Sequence, residues 1–298
     1  PGETWLGVTS GLTSWSTIST PTWVSGNVYR VRARATDSAD NVSVDIGDQQ
    51  FTFDSNNPTT AITLPATDTS QNALTMVSGT ANDNTDLDAV LVRIYNVPQQ
   101  RYFNNATGVF DPDLGAEPAW FISSAVTANW TTWKTTFTFV AGTTYRFEAR
   151  ARDRAGNYDM TFATRTFLFD DAAPLSYVRL HANTALINSL TMISGTAADG
   201  SGGAGLNAVY VAIQRKSDHL WWDGLVFDEP VPVDFLASGA GYPATWEYVS
   251  ASLNAGLDSG TSYYITSRAV DLATNQEPFF NVRGSTFSYD DEKPIAGI

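Results

Sequence analysis

Cysteine is absent from the 298 residues, so no disulfide staples this chain and no thiolate serves as nucleophile or zinc ligand. Histidine occurs only as His181 and His219, which leaves His-based triads and zinc centres little to work with. Lysine is scarce as well: three Lys accompany fourteen Arg, and 31 acidic residues bring the formal net charge to −14. Phosphate backbones need basic patches, so nucleic acid is not an expected partner. No run of about 18 apolar residues occurs, so no helical membrane span is expected. Glycine-rich phosphate loops and nucleophile elbows are missing too. What remains is apolar and acidic. Hydrophobic residues at 43% with nine Trp are too many for a disordered linker. The acidity suits divalent cations, or an exported protein kept soluble by self-repulsion.

One pattern occurs three times. Tyr29-Arg-Val-Arg-Ala-Arg-Ala-Thr-Asp37 ends at Asn41, Tyr145-Arg-Phe-Glu-Ala-Arg-Ala-Arg-Asp153 ends at Asn157, and Tyr263-Tyr-Ile-Thr-Ser-Arg-Ala-Val-Asp271 ends at Asn275. The steps are 116 residues from Asp37 to Asp153 and 118 from Asp153 to Asp271, and a repeat that long is a whole domain. Other landmarks keep the step: Phe51 to Asp54 before Pro58, Phe167 to Asp170 before Pro174, and Phe287 to Asp290 before Pro294. Leu74-Thr-Met-Val-Ser-Gly79-Thr80 returns as Leu190-Thr-Met-Ile-Ser-Gly195-Thr196. Cutting at the prolines gives two complete units, 58–173 and 174–293, preceded by the second half of a unit (1–57) and followed by the start of another (294–298). That phase is expected of an excerpt from a longer repetitive polypeptide, or of half-domains completed by neighbouring subunits.

The units read as strands. Apolar Tyr145, Phe147, Ala149 and Ala151 alternate with Arg146, Glu148, Arg150 and Arg152, the period-2 signature of a half-buried strand. Further β-branched and aromatic runs, such as 89–95, 136–140 and 166–169, are bounded by Gly, Asn, Asp and Pro. About seven short strands per unit predict an antiparallel sandwich. Gly26, Gly142 and Gly260 each precede a strand Tyr by three residues, the spacing of a tyrosine corner, whose hydroxyl bonds back to the backbone. Trp15, Trp130 and Trp246 lie upstream of each Tyr and are expected in the core, where indole is the largest apolar group available.

Gly-Thr-x-Tyr, a strand ending in Arg-Ala-x-Asp, Arg154-Ala-Gly-Asn157, and a closing strand followed by Asp-Asp and Pro together resemble the bacterial Ig-like repeats of large secreted or surface-anchored proteins, biofilm-associated and adhesin types among them. The first and third units carry Asp40 and Thr274 where the second has Gly156. The resemblance covers nearly the whole chain. It implies an all-β array of tandem Ig-like or fibronectin-III-like Greek-key β-sandwich domains, located outside the cell or on its surface.

Calcium takes six to eight oxygens from loops, and two groups of residues could offer them. The turns after the repeated strand supply Asp37 with Asn41, Asp153 with Asn157 and Asp271 with Asn275; the seams supply Asp54, Asp170, Asp171, Asp290 and Asp291. The resemblance implies the same, since related repeats and cadherins commonly hold calcium at acidic turns and linkers. The competing reading is turn capping, in which Asp and Asn bond their own backbone. A further acidic loop, Asn82 to Asp88, loses most of its carboxylates in the counterpart Asp199 to Gly205, so it reads as solvated loop. Between the third strand and the Trp, each complete unit carries an aromatic excursion, with Tyr102, Phe103 and Phe110 in one and Trp221, Trp222 and Phe227 in the other. These form a hairpin that either roofs the sandwich or offers rings to glycans or a partner.

An enzyme is not expected, because the carboxylates repeat at turns and seams where a catalytic pair would occur once. The leading expectation is a structural or adhesive rod, fibre or sheath contacting neighbouring repeats or self-associating. A carbohydrate- or partner-binding module and a spacer of a secreted hydrolase are the alternatives.

Overall fold

The computed structural model describes residues 5–10, 14–17, 21–44, 47–241, 243–279 and 283–296. The outer parts of the opening half-unit and of the closing stretch, 1–4 and 297–298, thus lie outside the described residues. The architecture is all-β: tandem β-sandwiches built from antiparallel pairings, with one short parallel pair.

In the middle unit, one sheet runs Ala163–Phe169, Thr143–Asp153, Leu87–Asn96, Arg101–Asn104 and Val109–Asp111 in spatial order. The facing sheet runs Ser124–Ala125, Thr132–Thr136, Met76–Asn82 and Thr59–Leu64. The C-terminal unit repeats this, with Leu206–Arg215 against Thr261–Asp271 in one sheet and Leu175–Leu180, Ile193–Ala198 and Thr245–Tyr248 in the other. Each unit has its own core, one drawn from Ile62 to Phe169 and the other from Leu190 to Tyr289. The period-2 reading is realised residue by residue: Tyr145, Phe147, Ala149 and Ala151 are buried while Arg146, Glu148, Arg150 and Arg152 face outward, half-exposed.

All three tyrosine corners form. The hydroxyls of Tyr29, Tyr145 and Tyr263 accept from the backbone N–H of Val24 (2.8 Å), Val140 (3.1 Å) and Asp258 (2.8 Å). Gly26, Gly142 and Gly260 sit at φ of 83°, 74° and 76°, a region glycine occupies without strain. Each also donates its N–H to the end of the closing strand, at Phe53, Phe169 and Tyr289.

The core indoles differ from the expectation. Trp246 is buried, but its counterpart in the middle unit is Trp133, not Trp130. Trp133 pairs with Gly79 as Trp246 pairs with Gly195. A Cβ on Gly79 would lie 1.9 Å from the Ala61 carbonyl and 2.5 Å from the Trp133 ring, and one on Gly195 would lie 2.1 Å from the Tyr177 carbonyl and 2.2 Å from the Trp246 ring. The repeated Ser-Gly-Thr is therefore the seat on which an indole lies. Trp130 is half-buried at φ 62°, in the turn before that strand, and Trp15 is exposed.

Candidate metal centres at the joints

The turn after each long strand has one geometry in all three units. Asp37, Asp153 and Asp271 each accept from the backbone N–H and side-chain amide of the Asn four residues on, at 2.8–2.9 Å. The residue before the Asn has positive φ in every copy: Asp40 at 65°, Gly156 at 94° and Thr274 at 71°. The backbone thus overrides the side chain, and Thr274 holds a conformation that β-branched residues rarely adopt.

Topology decides which joint each turn serves. The long strand starts at the tyrosine corner and ends at the opposite end of the sandwich, so its turn lies beside the preceding unit and its own unit's opening proline. The Asn side chains make the link: Asn157 Nδ2 donates to the Asp54 carbonyl (3.2 Å) and Asn275 Nδ2 to the Asp170 carbonyl (2.8 Å).

Two equivalent carboxylate clusters result. Asp54, Asp83 and Asp153 bring one oxygen each within 4.8 Å of one another, and so do Asp170, Asp199 and Asp271. In both, one Asp comes from the end of the preceding unit and two from the following one. Asp153, Asp170 and Asp271 are buried, and among the described residues none of the six is ion-paired. Asp83 and Asp199 are the members that sequence reasoning missed. Their loop was set aside because the second copy is glycine-rich, yet those glycines serve the carboxylate. The N–H groups of Gly200 and Gly205 donate to Asp199 at 2.9 and 2.7 Å, and a Cβ on Gly203 would lie 2.4 Å from its Oδ2. The usable signal was the step of 116 residues from Asp83 to Asp199, identical to that from Asp54 to Asp170.

The electrostatics follow from this packing. Burial pushes the Asp271 carboxyl above its ordinary value, against the hydrogen bonds from Asn275, and the neighbouring charges of Asp170 and Asp199 push the same way. For Asp54 burial also pushes up, but hydrogen bonds from Thr85, Ser25, Asn56 and Asn84 outweigh it and hold the carboxyl low. Asp83 Oδ2 accepts from the Thr85 N–H and hydroxyl at 2.9 and 2.8 Å, while its Oδ1 is buried without a hydrogen-bond partner. The donor sets contain only carboxylate, amide and carbonyl oxygens, with no His or Cys, which fits a hard cation such as calcium.

The other candidates fall outside the clusters. Asp37 and Asn41 form the same turn in the half-unit, exposed, with the Asn41 hydrogen bonds holding the Asp37 carboxyl low. Asp171 is exposed and borders an aromatic cleft. Asp290 accepts from the Ser259 hydroxyl and the Glu292 N–H, and Asp291 lies 3.3 Å from the Tyr289 hydroxyl. The aromatic excursions are hairpins whose roles diverge. Trp221, Trp222 and Phe227 are buried, at 2%, 0% and 4% exposure, and Trp222 and Phe227 pack into the core. Tyr102, Phe103 and Phe110 are half-buried. Tyr102 lies 4.8 Å from Tyr95 on the outer sheet face, while Phe103 and Phe110 border the cleft.

No family model and no curated protein matches the chain. Solved structures do. The fibronectin(III)-like modules of Clostridium thermocellum CbhA are similar at 13% identity and a TM-score of 0.35, covering 80% of this chain and 100% of that one. The FN1–FN3 domains of chicken CNTN1 are similar at 10% identity and a TM-score of 0.34, covering 86% and 76%. A 1.5-MDa bacterial ice-binding adhesin is similar at 14% identity and a TM-score of 0.31, covering 89% and 75%. At such scores none bears on function, and the sandwich assignment rests on the strand pairing and the two cores. No helix among the described residues is long and apolar enough to cross a membrane.

Proposed function

We propose that this chain is a non-catalytic structural or adhesive stretch of a large secreted or cell-surface protein, in which repeat units form a rod stiffened by calcium at their joints. The boundaries we assign are a half-unit at 1–57, complete domains at 58–173 and 174–293, and the start of a following repeat or a linker strand at 294–298. The observation that carries the reading is the recurrence of one composite cluster at both joints. A cation there would neutralise three converging carboxylates contributed by two domains, and so would resist bending and separation of the units. The residues that would hold it are Asp54, Asp83 and Asp153 at one joint and Asp170, Asp199 and Asp271 at the other. Asn157 and Asn275 clamp the turn to the preceding strand and orient these groups. The repetition supports a role along a fibre, with neighbouring repeats or further copies as partners.

Calorimetry of the whole chain with calcium and then with chelator tests this. Calcium at about a hundredfold over its Kd contributes about 2.7 kcal/mol, which raises the unfolding midpoint by about 5–10 °C. An unchanged midpoint would remove the calcium joint from the proposal while leaving the rod.

A further inference from the structure

The two complete domains differ in packing at the end of the sandwich near the aromatic hairpin. In the C-terminal domain this space is solid. Trp222 and Phe227 pair across the hairpin, their rings 5.0 Å apart. The stretch from Trp246 to Tyr263 is five residues longer than that from Trp133 to Tyr145, and it adds a 3-10 turn at Asn254–Gly256 flanked by buried Leu253 and Leu257. A Cβ on Gly256 would lie 2.4 Å from the Trp222 ring, and Asn254 Oδ1 accepts from the Leu190 N–H at 2.6 Å.

In the middle domain Phe103 and Phe110 hold the places of Trp222 and Phe227, and the shorter connection carries no such plug. A cleft of about 870 Å³ is left, within the roughly 300–1,000 Å³ that small-ligand sites span. Ile94 and Leu74, both buried, lie at its base. Phe103, Phe110 and Phe137 line it with rings 5.2–6.1 Å apart in edge-to-face contact, an arrangement to which a further ring can add. Around the rings stand the neutral polar groups of Gln99, Asn105, Thr136 and Thr138, and Asp171 is the one charged residue on the lining.

We propose that this cleft binds a small arylalkylamine, with the aromatic body taking the place that indole and leucine side chains fill in the sister domain and the ammonium pairing with Asp171. The sister domain identifies the shape and polarity of what fits, and the single carboxylate sets the sign of the charge. The site is independent of the joint cations, because Asp171 belongs to neither cluster, although Asp170 beside it does.

The test uses tryptamine, indole and indole-3-acetate, three probes with one ring and different charge, titrated into the intact 298-residue chain and followed by amide NMR shifts. Saturable tryptamine binding with shifts confined to the cleft is expected, weaker binding of indole, and weakest of the acetate. Asp171→Asn, an exposed change, lowers tryptamine affinity about three- to fivefold, as expected for a partly exposed ion pair, and leaves indole unchanged. Phe103→Trp places the sister domain's indole in the cleft and lowers affinity for tryptamine and indole together, by tenfold or more as about 1.4 kcal/mol of contact is lost. Tryptamine binding persists in both calcium and chelator. No saturation by about 1 mM (roughly −4 kcal/mol), equal affinity for all three probes, shifts mapping to another surface, or competition between tryptamine and calcium would each overturn the proposal.

Discussion

The two joints place the same three carboxylates at the same positions but hold them with different donors. At the first, Asp54 and Asp83 are held largely by side chains: Ser25, Asn84 and Thr85. At the second, backbone amides do the work, with Ala204 N–H donating to Asp170 at 2.7 Å and those of Gly200 and Gly205 to Asp199. Backbone donors need close approach, and the second joint has it. A Cβ on Gly202 would lie 3.2 Å from Gly142 Cα, whereas one on Gly26 at the first joint would meet only Asn84 Nδ2, at 3.8 Å. Asp170 is accordingly buried where Asp54 is half-buried. Hydroxyls and amides on side chains tolerate small displacements, while amides of a glycine loop fix distance and direction together. The second joint is therefore expected to be the more rigid of the two.

The largest test of this contrast removes one carboxylate. In Asp83→Asn the remaining oxygen still accepts from Thr85, and the new amide stands where a buried oxygen has no partner. The first joint's calcium stabilisation, about 2.7 kcal/mol at a hundredfold over Kd, is expected to vanish by calorimetry. In chelator the same variant is expected to be more stable than the parent, because one of three converging charges is gone. Loss of stability in both conditions would mean that the cluster is held by hydrogen bonds alone.

Gly202→Ala probes the second joint, since it adds a methyl against Gly142 at φ 83°. A cost of about 1–3 kcal/mol is expected, together with altered small-angle scattering as the C-terminal domain is displaced. Asn84→Ala at the first joint is expected to change stability by no more than about 0.5 kcal/mol. Equal effects would erase the contrast between the joints.

A smaller effect is expected from Thr274→Gly, which releases a β-branched residue from φ 71°. Stability is expected to rise by about 1 kcal/mol, measured by urea denaturation, and the reciprocal Gly156→Thr to fall by a similar amount.

The finest test is titration of individual carboxyls by NMR in chelator. Asp271, raised above its ordinary value of 3.8, binds its proton more tightly folded than unfolded. Its contribution to stability is therefore most favourable below 3.8 and is lost as pH rises through the folded value. Asp54, held below 3.8, contributes stability above 3.8 that is lost as pH falls through its folded value. The second joint should tighten on mild acidification while the first is unaffected until lower pH. Midpoints on the same side of 3.8 would contradict this.

The sequence carried the fold legibly because its signals are local. Period-2 alternation, the Gly-to-Tyr spacing and the Ser-Gly-Thr motif each need only a few neighbouring residues, and all correspond to specific strands and corners. The indole was misassigned for the opposite reason. Trp130 lies at the expected distance from its Tyr, but only pairing with Gly79 across the sheet distinguishes it from Trp133. The joint was half-legible. Asp54, Asp153, Asp170 and Asp271 stood out as repeated acids, whereas Asp83 and Asp199 sit in loops whose surroundings changed from carboxylate to glycine. Composition hid what the constant 116-residue step preserved. The cleft was not legible, because it depends on five residues missing from a loop and on the size of one ring facing it.

Each joint is expected to hold one cation through carboxylates of two domains. Isothermal titration of calcium into chelator-treated chain tests it most directly. Two sites per chain are expected, matching the two clusters, falling to one in Asp83→Asn and one in Asp199→Asn. Absence of binding, or a stoichiometry that neither substitution changes, would contradict it.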